Sequence, residues 1–399
     1  MTRARLWDGL ADHSPPLSSS LWVREDRIVA RGEAADRAPS ELPRIELEGR
    51  HIVPGLIDAH VHLALDPRLR TPAEQLAVPR DERERAMRER ARAMLDAGIT
   101  TARDCGGGDH AEHRLRREID AGALPGPRLL CCGQPLTTPH GHCAFWGGAV
   151  HDRAEIDAMV ERQVEAGSDW IKVMVTGGLF TPGSRAGERQ FDRARLEAIA
   201  QAAARHGRFV AGHCHATAGI TDALAVGLRT IEHASFAGPG GFGTEISEAL
   251  LRRLGEGEVW ISPTVNAGWG RRIEDRAGEP TDFFRRMSRC LRLQKEHGAR
   301  LIASTDAGIP GVDHADLLDG LLALARFAAL RPVDALRAAT SEAARALGLE
   351  RETGRLAPGL SADFLVLEQD PLRDLEALRD PEVVVLRGRW LDRARRRRG

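Results

Sequence analysis

Residues 169–178 read DWIKVMVTGG, an apolar run of strand length that closes on two glycines and carries one lysine, Lys172, in its middle. A run that is apolar at nearly every position, rather than at alternate ones, suits a strand covered on both faces, and such strands belong to parallel sheets. Seven further runs of this kind punctuate residues 51–346: HIVPGLIDAHVHL, ITTARDCG, RLLCCG, RFVAGHCHA, LRTIEHA, VWISPTV and RLIASTDAG. Between most of them lie charged, amphipathic stretches of helix length, among them 81–97, 152–167, 191–206, 281–297 and 313–329. Seven of the eight strand candidates are followed by a helical segment. The pattern predicts the α/β class and, with eight units, a closed (β/α)8 TIM barrel over residues 51–353.

The flanks read differently. Residues 20–50 (LWVREDRIVARG, RIELEGR) and 354–392 (ADFLVLEQD, EVVVLRGRWL) hold short alternating runs. They predict antiparallel strands from both ends meeting in a small composite β-sandwich domain, residues 1–50 plus 354–399. The chain of 399 residues carries 57 basic and 58 acidic side chains, so no global charge draws it to nucleic acid or a membrane surface. The basic run RARRRRG at 393–399 reads as a solvated end. Six cysteines form no C-x-x-C pair and no disulfide framework, and MTRARLWDG lacks the apolar core of a signal peptide. The expectation is a cytoplasmic protein with a small-molecule substrate, no nucleic-acid or membrane partner, and room for assembly into a homo-oligomer. Tyrosine is absent, so no phenol serves as acid, base or oxyanion donor.

In a barrel the carboxyl ends of the strands build the site. The first run closes with DAHVHL, where alternation puts His60 and His62 on one face. The fourth carries Lys172, the fifth His213 and His215, the sixth His233 and the eighth Asp306. A lone histidine at a strand end is more often a hydrogen-bonded core residue than a ligand. Imidazoles and a carboxylate from four strand ends make a donor set for a divalent cation such as Zn²⁺, Mn²⁺ or Co²⁺. Lys172 is one of two lysines against 55 arginines. Its neutral amine could take up CO₂ as a carbamate, a long carboxylate able to bridge two metals, whereas a guanidinium stays protonated. The bland alternative is a buried ion pair with Asp169. Lys295, in LQKEHG, reads as a surface residue.

The ordered set His60-x-His62, Lys172, His213, His233 and Asp306 resembles the metal-dependent amidohydrolase superfamily, in the branch of imidazolonepropionase-like proteins and Xaa-Pro dipeptidases. The segments VPGLIDAHVHL, DWIKVMVTGG, VAGHCHATAGI, TIEHAS, STDAG and GRLAPGLSADFLVL are similar to that branch along nearly the whole chain. The resemblance implies two divalent metal ions, zinc first: His60, His62 and Asp306 on the more buried, His213 and His233 on the more exposed. An N6-carboxylated Lys172 and a hydroxide would bridge them. It implies that Asp306 moves the proton from the attacking hydroxide to the leaving amine, and that His142 of TTPHGHCAFWGG meets the carbonyl oxygen. His140 replaces a glycine of the pattern and is either a substrate contact or a loop residue. His215 stands where related peptidases carry a tyrosine for a substrate carboxylate, and Arg185 is a further carboxylate candidate.

The expected activity is hydrolysis of an amide bond in an N-acyl amino acid, dipeptide or cyclic amide. The alternative is a mononuclear ring-opening hydrolase or deaminase, and lactones and esters suit the same nucleophile. Deaminases of the superfamily resemble His-x-x-Glu at strand five, where this chain has Ala216. A non-catalytic scaffold would be expected to have lost ligands that are all present here.

Overall fold

The computed structural model describes residues 1–13 and 19–392, so the basic run 393–399 lies outside the described residues. Of eight parallel strands, four carry His60, Lys172, His213, His215 and His233, while His62 and Asp306 lie beyond strand ends. β1 (Leu56–Val61), β2 (Ile99–Asp104) and β3 (Arg128–Cys131) pair in that order. β4 (Trp170–Met174), β5 (Phe209–Ala216), β6 (Thr230–Ala237), β7 (Trp260–Ser262) and β8 (Arg300–Leu301) form a second parallel sheet in chain order. Every residue of β1, β2, β4 and β6 is buried, as the unbroken apolar runs require.

Each of the eight strands is followed by a helix, one more than the sequence pattern announced: Arg80–Asp96, Ala111–Asp120, Arg153–Glu165, Arg193–Arg205, Thr217–Ala225, Glu248–Glu256, Asp282–Glu296 and Leu317–Ala328. Short polar residues start several of them. Asp152, Asp192, Ser247 and Thr281 each accept a backbone N–H of the first turn, the bond a free helix end needs. Lys295 is exposed, as read from the sequence, and it also caps the helix Leu317–Ala328 by donating to Ala329 O at 2.6 Å.

Backbone bonds join the two parallel sheets at both edges. Leu136, beyond β3, donates to Lys172 O and accepts from Met174 N, each at 2.8 Å. On the far side Ala59 donates to Ala303 O at 3.1 Å, Asp306 to His60 O at 2.8 Å and His62 to Ala307 O at 2.8 Å. Ile57, Trp170, Ala211, Trp260 and Ile302 pack with Ala343 and Leu347 of the helix Ser341–Leu347. Apolar side chains therefore fill the starts of the strands, and the polar ones are left for their carboxyl ends.

The two ends of the chain do share a sheet. Arg5–Leu6, His51–Pro54, Phe364–Leu367, Val383–Leu386 and Arg389–Asp392 pair in that order, with Leu365 opposite Val53. The hairpin Leu21–Arg24/Arg27–Arg31 stands beside it, and Leu21, Ile28, Ile52, Phe364 and Val385 form one core. The expected division before residue 51 assigns the strand His51–Pro54 to the barrel, whereas that strand pairs in the terminal sheet and the chain changes sheets at Gly55, ahead of β1. A Cβ at Gly55 would lie 2.2 Å from Thr100 Oγ1, so the crossing point admits no side chain. Among the described residues no helix is long and apolar enough to cross a membrane.

Candidate active site

A cavity of about 420 Å³ opens at the carboxyl ends of the strands. His60, His62, Lys172, His213, His215, His233 and Asp306 lie around it, as does His142 from the segment after β3. The backbone is bent to place them. His233, Ala234, Phe236, Thr264 and Asp306 hold left-handed φ values of 68°, 43°, 47°, 52° and 60° without being glycine. Such residues cost roughly 1–3 kcal/mol each and persist only where the surroundings over-determine them.

Hydrogen bonds fix the tautomer of four imidazoles. His60 donates from Nδ1 to Glu232 Oε2 at 2.8 Å, and His62 from Nδ1 to Gly106 O at 2.8 Å. His213 donates from Nε2 to Gly177 O at 3.1 Å. His233 donates from Nδ1 to Thr264 Oγ1 at 2.8 Å, because that hydroxyl spends its own proton on Pro263 O. With the rings neutral, as metal ligation requires, four lone pairs are left: His60 Nε2, His62 Nε2, His213 Nδ1 and His233 Nε2. They face one another, with 3.3 Å between the first two and 2.8 Å between the last two. Asp306 Oδ1 lies 3.3 Å from His60 Nε2 and 3.4 Å from His62 Nε2. Facing lone pairs repel unless a cation stands among them, so this donor set fits divalent metal. The ligand atoms of His60, His233 and Asp306, and those of His213, His215 and His233, can each be gathered within 4.8 Å.

Lys172 is buried in the middle of this set, and Nζ lies 3.3 Å from His60 Nε2. The bland alternative fails on geometry: Asp169 is bound to the guanidinium of Arg116 and accepts from Cys131 N at 2.8 Å. Among the described residues no carboxylate forms an ion pair with Lys172.

The amidohydrolase family model matches residues 51–391. The chain belongs to the amidohydrolase family. It is 26% identical over 403 residues to the ochratoxinase of Aspergillus niger, spanning 92% of this chain and 81% of that protein. It is 26% identical over 393 residues to the imidazolonepropionase of Chloroflexus aggregans, spanning 88% and 84%. A crystal structure of a Xaa-Pro dipeptidase with bound methionine shares the fold, with a TM-score of 0.86 over 98% of each chain at 24% identity. This amidohydrolase is therefore an enzyme acting on carbon–nitrogen bonds.

Two buried charges of the amidohydrolase escaped the sequence reading. Arg103, on β2, and Glu232, on β6, are fully buried and paired at 2.7 Å. Arg103 also donates to Ala59 O at 2.8 Å and Thr230 Oγ1 at 2.9 Å, and lies over the Trp170 ring at 4.6 Å. Burial would raise the Glu232 carboxyl, but Arg103 and His60 keep it ionised. Glu232 thus holds His60 with its lone pair inward. Asp104 does the same for His62 at one remove, accepting from Leu63 N at 2.9 Å and Gly106 N at 2.7 Å. The signal was present: a charge inside an unbroken apolar run, as in ITTARD and TIEHA, must have a partner.

The glycines that end DWIKVMVTGG also find their reason. A Cβ at Gly177 would meet Arg185 O at 2.3 Å, and one at Gly178 would meet His142 Nε2 at 2.5 Å. Gly178 seats the His142 ring, whose buried Nδ1 has no hydrogen-bond partner among the described residues. Burial pushes that imidazole down to about 4, so it is neutral at pH 7. His142→Ala and Gly178→Ala are each expected to lower kcat about 10²-fold, and the double variant to lose little more, as for one oxyanion donor removed by two routes. Steady-state kinetics on any cleaved amide checks this.

His215 lines the cavity, stacked between His233 and Phe242 with centroids at 4.4 and 4.8 Å, its Nδ1 2.9 Å from Ser235 Oγ. Two expected contacts lie elsewhere. His140 is exposed on a left-handed turn (φ 61°) and does not line the cavity. Arg185 faces solvent with its side chain 78% exposed, paired to Glu188, because the loop folds back over Gly177 with its backbone inward.

Proposed function

We propose that this amidohydrolase is a metal-dependent hydrolase that cleaves an amide C–N bond of a small molecule, such as an N-acyl amino acid, dipeptide or cyclic amide. The carrying observation is the four imidazole lone pairs, each fixed by a bond on the other ring nitrogen, converging with Asp306 around Lys172. His60, His62 and Asp306 would hold one divalent ion, zinc first, and His213 and His233 a second, with N6-carboxylated Lys172 between. When bound, the metals would supply a water of near-neutral pKa and a Lewis acid for the carbonyl. Asp306 would take the proton of the attacking water at its carboxylate and deliver it to the leaving amine. Neutral His142 would hydrogen-bond the carbonyl oxygen as it gains charge.

The edge bonds between the two parallel sheets support a closed (β/α)8 barrel. The core shared by the terminal sheet and the hairpin 21–31 supports a small composite sandwich, with the division between the two at Gly55 rather than residue 51. The names of the relatives, a dipeptidase and an imidazolonepropionase among them, favour a carbon–nitrogen bond. Ala216, three residues after His213, offers no acid for the one-metal deaminase reading. Six free, buried thiols suit a reducing, cytoplasmic setting.

Elemental analysis of protein purified with bicarbonate tests this directly. Two metal ions per chain are expected, with release of an acid and an amine from an active amide. One ion, and ammonia as the nitrogen product, would replace this reading with the deaminase.

A further inference from the structure

Arg272 lines the same cavity in an unusual setting. It follows the short helix Ala267–Gly270, and its guanidinium lies 3.5 Å from the centre of the Phe283 ring. Trp269 packs edge-on against that ring, with centroids 4.9 Å apart, and against Phe327 at 5.2 Å, so the platform is braced from behind. Among the described residues no carboxylate pairs with Arg272. Arg272 is exposed at this cavity, and there partial desolvation and the like charge of Arg286 both lower its pKa.

The side chain does not hold its own loop together. Arg272 O accepts from Thr281 Oγ1, and Thr281 donates to Ile273 O at 3.0 Å, so the turn closes through the backbone. Arg70, the other arginine at this cavity, also has no ion-paired carboxylate among the described residues, but no aromatic ring lies beneath its guanidinium there as Phe283 lies beneath Arg272. Among the described lining residues Asp306, at the floor, is the one carboxylate. Beside Arg272 the wall is aromatic, formed by Phe283 with Trp269 against it, and Phe242 lines the same cavity over His215. A guanidinium laid flat on a ring presents its N–H edge outward, and that edge is a fork shaped for a carboxylate.

We propose that Arg272 receives a carboxylate of the substrate, so that the enzyme selects N-acyl amino acids with a bulky apolar side chain over their neutral counterparts. The proposal rests on the amide-hydrolase reading above. It gives the aromatic wall the apolar side chain, Arg272 the acid and the floor of the cavity the scissile bond. Arg272 takes the role first considered for Arg185.

The test pairs N-benzoyl-L-phenylalanine with its carboxamide, following benzoate release by the metal-loaded enzyme. The acid is expected to exceed the carboxamide in kcat/KM by about 10- to 100-fold, the value of one charge-assisted fork. Arg272→Met is expected to bring that ratio close to one, chiefly through KM, with Arg272→Lys between. Phe283→Leu, which removes the platform, should erode the ratio in the same direction. An unchanged ratio in Arg272→Met overturns the proposal. Calorimetric titration with the two compounds separates this from a failure of the amide-hydrolase reading. If no benzoate is released, yet the acid binds more tightly than the carboxamide and only while Arg272 is present, the carboxylate site stands and the amide reading falls. Equal binding of the two compounds to the unmodified protein overturns the carboxylate site.

Discussion

Replacing Lys172 by alanine is expected to cut kcat/KM on an amide substrate by about 10³-fold or more, the loss of several kcal/mol of charge stabilisation. Acetate or propionate at millimolar concentration is expected to restore part of it. The physical basis is the position of Lys172, buried at 3.3 Å from His60 Nε2, with Asp169 committed to Arg116. An ammonium among imidazole lone pairs adds nothing that would hold metal, whereas a carbamate there adds two anionic oxygens. A small carboxylic acid can enter the space that alanine vacates and stand in for those oxygens. Lys172→Arg should be as inactive as Lys172→Ala and should not respond to the acid, because a guanidinium neither takes up CO₂ nor leaves space. Elemental analysis of the three proteins completes the experiment: metal content should fall in both variants and recover with acetate only in Lys172→Ala. Full activity in Lys172→Arg would sink the carbamate.

The second large effect is on stability. Arg103→Met is expected to lower the unfolding free energy by about 3–5 kcal/mol, because it leaves the buried Glu232 carboxylate without its ion-pair partner, with only the bonds from His60 and Thr230. Arg103 and Glu232 have no exposure at all, and three separate acceptors hold the guanidinium. Glu232→Gln turns an amide NH₂ or its oxygen toward Arg103 and His60 and cannot satisfy both. It should cost stability and lower metal affinity about 10- to 100-fold, since His60 loses the partner that fixes its lone pair inward. The double variant Arg103→Met/Glu232→Gln should be more stable than Arg103→Met alone while keeping the metal defect. Urea unfolding with and without metal, together with chelator competition, reads both quantities. A loss below about 1 kcal/mol in Arg103→Met would mean that water or a neighbour already compensates Glu232.

The strand positions were legible because double burial writes itself as unbroken apolarity: WIKVM and LIDAHV are buried at every residue. Five of the six proposed ligands could be read for the related reason that polar residues at the ends of such runs have nowhere else to go, and Lys172, in the middle of its run, stood out as one of only two lysines. The change of sheet at Gly55 was not legible. Residues 51–63 stay apolar while passing from one sheet to another, so composition does not mark the crossing. Arginine misled for a different reason. With 55 of them, the residue type alone cannot separate Arg185, paired on the surface, from Arg272, laid on Phe283 at the cavity. His140 and His142 differ by two positions and by a left-handed turn that only the backbone reveals.

The terminal sheet has a consequence for biosynthesis. Val53 waits for Leu365 as its neighbour, and Pro54 for Phe364. On a ribosome adding about 5–20 residues each second, that wait lasts roughly 15–60 s. Throughout it, the edge of His51–Pro54 that will meet Phe364–Leu367 is open, with only Arg5–Leu6 on its other side. An open, apolar edge on a nascent chain invites pairing with the wrong strand. Chaperone cover during translation should therefore matter most over this interval, and a premature stop ahead of residue 364 would leave the earliest-made sheet unsealed.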